Sequence, residues 1–270
     1  MNTELLHAEV AGHAIAYRRV GHGPAMVLLH GFTLDSRMWG RQLADLSDRF
    51  TMVAWDAPGA GASSDPPDPF TMADWAGVLA EFLDVAQIER AHIVGLSWGG
   101  VLAQELYRLD PNRIASLVLA DTYAGWKGCF PQSVCGDRLA RCVRESELPP
   151  DEFVARWVPV EFFTEAAPPE LAAEMAEIVS GFHPHGFRLM AKSLAETDTT
   201  DLLPTIDVPT LLLWGDGDRR SPLSVAEQFR DAIPGAELSI LGGAGHVSNM
   251  EQPAAFNAEV RRFCLSAPSR

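Results

Sequence analysis

Basic residues are scarce in this 270-residue chain: 21 Lys and Arg stand against 36 Asp and Glu, a formal charge of −15. No lysine- or arginine-rich run occurs. Nucleic acid and anionic membrane surfaces both need a basic footprint, so neither is expected as a partner. Long apolar runs are missing as well. No segment approaches the length that spans a bilayer, and Met1-Asn2-Thr3-Glu4 has no cationic, then apolar, leader pattern. A cytoplasmic protein is the expectation, with a homodimer possible. Cysteine is sparse too. Cys129, Cys135 and Cys142 are spaced by six and seven residues, which matches no zinc pattern, and Cys264 lies far off. Free thiols are expected, with a disulfide inside the trio as the alternative. No metal or organic cofactor is implied. Internal repeats and low-complexity segments are also lacking.

Strand signals, by contrast, are plentiful. Leu5–Val10 and Ala14–Val20 flank Ala11-Gly12-His13, which reads as an opening hairpin. Continuous apolar runs at Ala25–Leu29, Thr51–Trp55, Ala91–Val94, Ile114–Ala120 and Val208–Trp214 read as strands buried on both faces; Glu237–Leu241 is a last strand. Helical periodicity lies between most of them. Asp35-Ser36 looks like one helix start, Thr71 like another, and Asn249 through Pro253 like the capped start of the last. Seven or eight strands alternating with helices give a mostly parallel α/β sheet covered on both faces. The alternation fails from about Thr122 to Thr200. There, short helical patterns are broken by Pro131, Pro149-Pro150, Pro159 and Pro168-Pro169 and carry many aromatics. That stretch, residues 122–200, reads as a helical lid inserted into a core of residues 1–121 and 201–270.

The chemistry gathers around Gly95-Leu96-Ser97-Trp98-Gly99, between a strand and a helical pattern. A serine between two glycines in that setting is a nucleophile elbow. The turn is so tight that side chains at Gly95 and Gly99 would collide with neighbouring backbone. The N-terminus of the following helix is aimed at the serine, where unpaired N–H groups and a positive dipole suit a developing oxyanion. A serine hydroxyl is a weak nucleophile without a base and an orienting carboxylate. His246, in the loop Gly242-Gly243-Ala244-Gly245-His246 after the last strand, is the expected base; His183 and His185 read as surface or packing residues. Asp218, in Gly215-Asp216-Gly217-Asp218, is the expected acid, with Asp216 and Asp121 as alternatives. Backbone N–H groups of Phe32 and Trp98 are expected to form the oxyanion hole. Side chains of Phe32, Trp98 and Val247 would floor an apolar acyl pocket, and Trp126, Trp157 and Phe163 are lid aromatics expected to line it. His30 reads as a brace for its loop, and Asp56 with Gly59 and Gly61 as a packing turn. The loop's glycines have neither Walker nor dinucleotide spacing. An anionic substrate would need a local cation, for which the lid stretch offers Arg138, Arg156 and Arg188.

The stretches His30-Gly31-Phe32, Asp56 through Ser63, Gly95 through Gly100, Gly215 through Asp218 and Gly245-His246 together resemble the α/β-hydrolase superfamily over nearly the whole chain. Within it, Thr199 through Pro204, Val208 through Leu211 and Ala232 through Ala236 are most similar to β-ketoadipate enol-lactonases, carboxylesterases and cofactor-free haloperoxidases. The resemblance implies Ser97 as nucleophile, Asp218 as acid, His246 as base, and Phe32 and Trp98 as oxyanion donors. Trp98 departs from the methionine or leucine usual in those relatives, which would narrow the acyl pocket. The implied substrate is a small carboxylic ester or lactone. Hydrolysis of a C–C bond in a vinylogous diketone and a non-catalytic ligand sensor are the rival readings.

Overall fold

A computed structural model describes residues 3–267. Eight strands form one sheet: β1 (Leu5–Val10), β2 (His13–Gly21), β3 (Ala25–Leu29), β4 (Thr51–Trp55), β5 (Ala91–Leu96), β6 (Ile114–Ala120), β7 (Thr210–Gly215) and β8 (Glu237–Leu241). Their spatial order is β1-β2-β4-β3-β5-β6-β7-β8. The first hairpin and the β2–β4 pairing are antiparallel, and every later pairing is parallel. Strands β5, β6 and β7 are buried almost throughout, as continuous apolar runs require. Strand β7 begins at Thr210, two residues later than the apolar run. Pro209 cannot donate to a ladder, though its carbonyl accepts from Leu117 N–H.

Helices cover both sides of the sheet. They are α1 (Gly40–Leu46), α2 (Met72–Val85) and α3 (Trp98–Leu109), five between β6 and β7, then α9 (Leu223–Ala232), α10 (Ser248–Glu251) and α11 (Pro253–Ser266). Helix α1 packs on α11, and α2 on α3. Thr71 starts α2 with a full capping box, its side chain paired reciprocally with Asp74. Asp35 accepts from Arg37 N–H and opens a 3₁₀ turn over Ser36–Trp39 rather than a long helix. The segment from Asn249 differs from expectation. Asn249 lies inside the short α10, and its amide donates to Met38 O and Gln42 Oε1 at 3.1 Å each. Pro253 opens α11 separately, because proline fits a first helical turn.

The five helices between β6 and β7 are α4 (Gly125–Cys129), α5 (Gln132–Glu145), α6 (Pro150–Glu161), α7 (Pro169–Val179) and α8 (Pro184–Glu196). Proline begins α6, α7 and α8 and Pro131 precedes α5, whereas Pro159, expected to break a helical pattern, lies inside α6. Helices α7 and α8 are tied to loops at the carboxyl edge of the sheet. Arg37 donates to Glu177 O and Ile178 O at 3.2 and 2.9 Å, and Arg41 pairs bidentately with Glu174. His183 bonds Asp65 at 2.6 Å and Gly61 O at 3.0 Å, while His185 bonds Pro66 O at 2.9 Å. Gly59 and Gly186 meet backbone to backbone: a Cβ on Gly186 would sit 2.6 Å from Gly59 Cα. No disulfide joins Cys129, Cys135, Cys142 or Cys264.

Candidate active site

The loops after β3, β5, β6, β7 and β8 all leave the sheet at its carboxyl edge, where open α/β sheets gather their sites. Ser97 occupies the single-residue turn from β5 into α3, at φ 56° and ψ −117°. A left-handed φ is costly for serine and is imposed by the crossing on either side. A Cβ on Gly95 would lie 2.6 Å from Gly99 C, and one on Gly99 would lie 2.6 Å from Leu29 C. Thr122 Oγ1 donates to Ser97 O at 2.5 Å and pins the turn from below.

His246 follows β8. Its Nε2 lies 2.9 Å from Ser97 Oγ and its Nδ1 lies 2.9 Å from Asp218 Oδ2. A carboxylate only accepts, so Nδ1 carries the proton and Nε2 is the acceptor for the serine hydroxyl. The other Asp218 oxygen accepts from the N–H groups of Arg220 and Ser221 at 2.8 and 3.0 Å, which fixes the carboxylate's rotation. Serine, histidine and aspartate are all at least 95% buried. Burial lowers the His246 pKa below 6.5, nearby Asp218 opposes the shift, and Arg220 and Arg138 add to it. The imidazole is therefore neutral at neutral pH, the state a general base needs. The acid limb of kcat/KM is expected below pH 6.5, with activity lost as pH falls through the lowered pKa. A pH–rate profile on a neutral ester checks this, and a limb above pH 6.5 contradicts it.

The two alternative acids take other places. Asp121 accepts from Gly215 N–H at 2.8 Å and bonds the Ser248 hydroxyl. Burial, and then the charge of Asp218, raise its pKa well above 3.8, while the bonds from Ser248 and Gly215 oppose the shift. Asp216 accepts from Gly243 N–H at 2.8 Å and closes the turn between the β7 and β8 loops.

A Cβ placed on Gly31 would lie 3.6 Å from Ser97 Cβ, so the segment that leads into Phe32 runs beside Ser97. His30 braces it. Its Nε2 accepts from Ala57 N–H at 3.0 Å and its Nδ1 donates to Gly31 O at 2.8 Å. Burial lowers the His30 pKa and keeps it neutral in that role. Asp56 accepts from Ser36 and Ala62 N–H and serves its turn. Trp98 is the first residue of α3, whose leading N–H groups have no partner within the helix.

The aromatic expectations divide. The Phe32 ring meets Trp126, Trp157 and Phe187 at centroid distances of 6.3, 5.7 and 5.3 Å. Phe163 packs its backbone against Gly245, and the fully buried Val247 donates its N–H to Phe162 O at 3.1 Å. The Trp98 indole, however, is committed elsewhere: it donates to Ser193 Oγ at 3.0 Å, stacks on His30 and meets Trp75 edge-on. It joins α3 to α2 and α8 instead of forming a pocket floor. Of the three arginines offered between β6 and β7, Arg156 is exposed beside Glu145 at 3.6 Å, and Arg188 donates to Ser146 Oγ at 3.2 Å. Arg138 alone of them stands next to the site, its guanidinium 5.9 Å from the Tyr123 ring that packs on His246. Arg220, which sequence reasoning passed over, lies 5.3 Å over the Phe32 ring. Its position two residues after Asp218 was the available signal.

Residues 26–259 match the model of the alpha/beta hydrolase family. The chain belongs to that family. It is 28% identical over 258 residues to 3-oxoadipate enol-lactonase 2 of Acinetobacter baylyi, covering 93% of this chain and 94% of that one. Among solved hydrolase structures, a thermophilic esterase from Thermogutta terrifontis superposes with a TM-score of 0.89 at 28% identity, over 98% of this chain and all of the other. The enol-lactonase from Burkholderia xenovorans superposes with a TM-score of 0.88 at 26% identity, over 97% of this chain and all of the other. Among the described residues of this hydrolase no helix is long and apolar enough to cross a membrane. No group of three or more His, Cys, Asp or Glu among them is placed to hold a metal ion.

Proposed function

We propose that this chain is a serine hydrolase that cleaves a small carboxylic ester or lactone through an acyl-enzyme. The observation that carries the reading is the continuous chain from Ser97 Oγ to His246 Nε2 and from His246 Nδ1 to Asp218, with both links at 2.9 Å. Ser97 Oγ attacks the carbonyl as His246 Nε2 takes its proton. The backbone N–H groups of Phe32 and Trp98 hold the oxyanion, backed by the positive end of α3. His246 then gives the proton to the departing alkoxide, which in a lactone stays tethered to the acyl group. Water, deprotonated by the same histidine, releases the acid and restores the serine. Residues 122–200 act as a lid over the core of residues 1–121 and 201–270, and Trp126, Trp157 and Phe163 line the space between. Esterase and enol-lactonase relatives support the ester or lactone class.

A fluorophosphonate should label the protein once, on the peptide that contains Ser97, and abolish turnover of a p-nitrophenyl acyl ester in proportion. Intact-mass and peptide mass spectrometry read both. Full labelling of Ser97 with no turnover of any ester or lactone would favour the sensor reading, and labelling elsewhere would remove the nucleophile.

A further inference from the structure

Glu251 makes contacts that the mechanism above does not use. It ends α10, the single helical turn that follows His246. Side chains of a helix lean toward its N-terminus, so a carboxylate here turns back to the start of that turn. Its Oε2 accepts from Gly245 N–H at 2.7 Å. Its Oε1 accepts from Thr164 N–H at 3.0 Å and also from the Thr164 hydroxyl. Three donors from two distant stretches converge on one carboxylate, and bonds to a carboxylate are among the stronger of their kind.

One of these stretches carries the base. Gly245 is the residue just before His246, and on the other side Val247 N–H donates to Phe162 O at 3.1 Å. The residues before and after the base are therefore both tied to Phe162–Thr164, the segment that follows α6, one directly and one through Glu251. Backbone packing reinforces the tie. A Cβ on Gly245 would lie 2.9 Å from Phe162 O and 3.0 Å from Phe163 C. The acid's loop meets the same segment: a Cβ on Gly217, just before Asp218, would lie 2.9 Å from Thr164 Cγ2. Ser97 and Asp218 hold the imidazole by its two nitrogens, but neither fixes the backbone that carries the ring. Glu251 does.

We propose that Glu251 is a positioning residue of the reaction. Bridging Gly245 and Thr164, it sets the backbone of His246 against the segment after α6 and keeps the base in line between Ser97 and Asp218. The proposal rests on the serine-hydrolase reading for the step in which the base acts. The placement of the base can be read without turnover.

Glu251→Ala and Glu251→Gln are compared with the unmodified protein. Alanine leaves both N–H groups without this acceptor, whereas glutamine keeps an oxygen for one side and turns a donor to the other. On a p-nitrophenyl acyl ester, kcat should fall by about 10- to 100-fold in Glu251→Ala, the scale of a misplaced catalytic group, with KM within about threefold. Glu251→Gln should fall between, and it carries the same readings if the alanine variant does not fold. Gln252→Ala removes the neighbouring bond to Gly243 O and should leave kcat near that of the unmodified protein. An equal loss there would overturn the proposal. Titration with a fluorophosphonate separates positioning from folding. Full labelling of Ser97, at a rate lowered in step with kcat, supports the proposal. A smaller labelled fraction that reacts at the unmodified rate overturns it. The downfield Nδ1 proton of His246, assigned by its loss in His246→Ala, needs no substrate. Its exchange with water should quicken by about tenfold or more in Glu251→Ala, as a loosened loop requires, and unchanged exchange would contradict the role. If the unmodified protein opened no ester or lactone, the hydrolase reading would fail while this proton still decided what Glu251 does.

Discussion

Ser97→Ala lowers kcat on any ester or lactone substrate by roughly 10⁴- to 10⁶-fold, the range found when a serine nucleophile is removed and only the oxyanion hole and binding remain. The thermal midpoint should move by no more than a few degrees. Ser97 Oγ makes its bond to His246, and the contact that pins the turn runs to the Ser97 carbonyl, which alanine keeps. Alanine also accepts the φ of 56° no less readily than serine. Steady-state kinetics and a melting curve on the same preparation separate the two effects. A variant that retained more than about a hundredth of the activity would mean that another group attacks.

Asp218→Asn lowers kcat by about 10⁴-fold, for a reason that can be read from hydrogen bonds alone. The amide oxygen can still accept from Arg220 and Ser221 N–H, so the loop keeps its shape. The amide nitrogen then faces His246 Nδ1 as a second donor. Imidazole answers by moving its proton to Nε2, and a protonated Nε2 cannot take a proton from Ser97. Asp121→Asn supplies the control. Asp121 bonds Gly215 N–H and the Ser248 hydroxyl, while His246 Nδ1 is bonded to Asp218, so an amide at Asp121 should cost less than about tenfold. If the magnitudes came out reversed, Asp121 would be the orienting acid.

The parallel core of the fold was legible because strands buried on both faces are apolar at nearly every position, as β5 and β7 are apart from His92 and Thr210. The site was legible for a related reason. A one-residue turn between β5 and α3 tolerates nothing larger than hydrogen at Gly95 and Gly99, so its geometry is written in residue type. Other features depend on long-range contacts and leave no local pattern. Asn249 resembles a helix cap, yet its amide serves Met38 and Gln42, more than two hundred residues away in sequence. The Trp98 indole has Ser193 as its partner, and a window around the elbow cannot anticipate a bond from α3 to α8. The gathering of Arg138, Arg219 and Arg220 around Trp126 and Trp157 joins four separate elements. Composition alone gives the opposite impression, since the chain as a whole is acidic.

The contact between Gly59 and Gly186 has a consequence for how such a protein could change its diet. Neither residue can gain a side chain without backbone moving, and the histidines just before and after Pro184 are clasped by the same loop. Variation is therefore poorly tolerated along the start of α8. Helices α5 and α6 instead reach the site through side chains, Arg138 and Trp157, that can be exchanged one at a time. New substrate preferences should arise there first, under natural selection or in a mutant library, with the α8 side inherited unchanged.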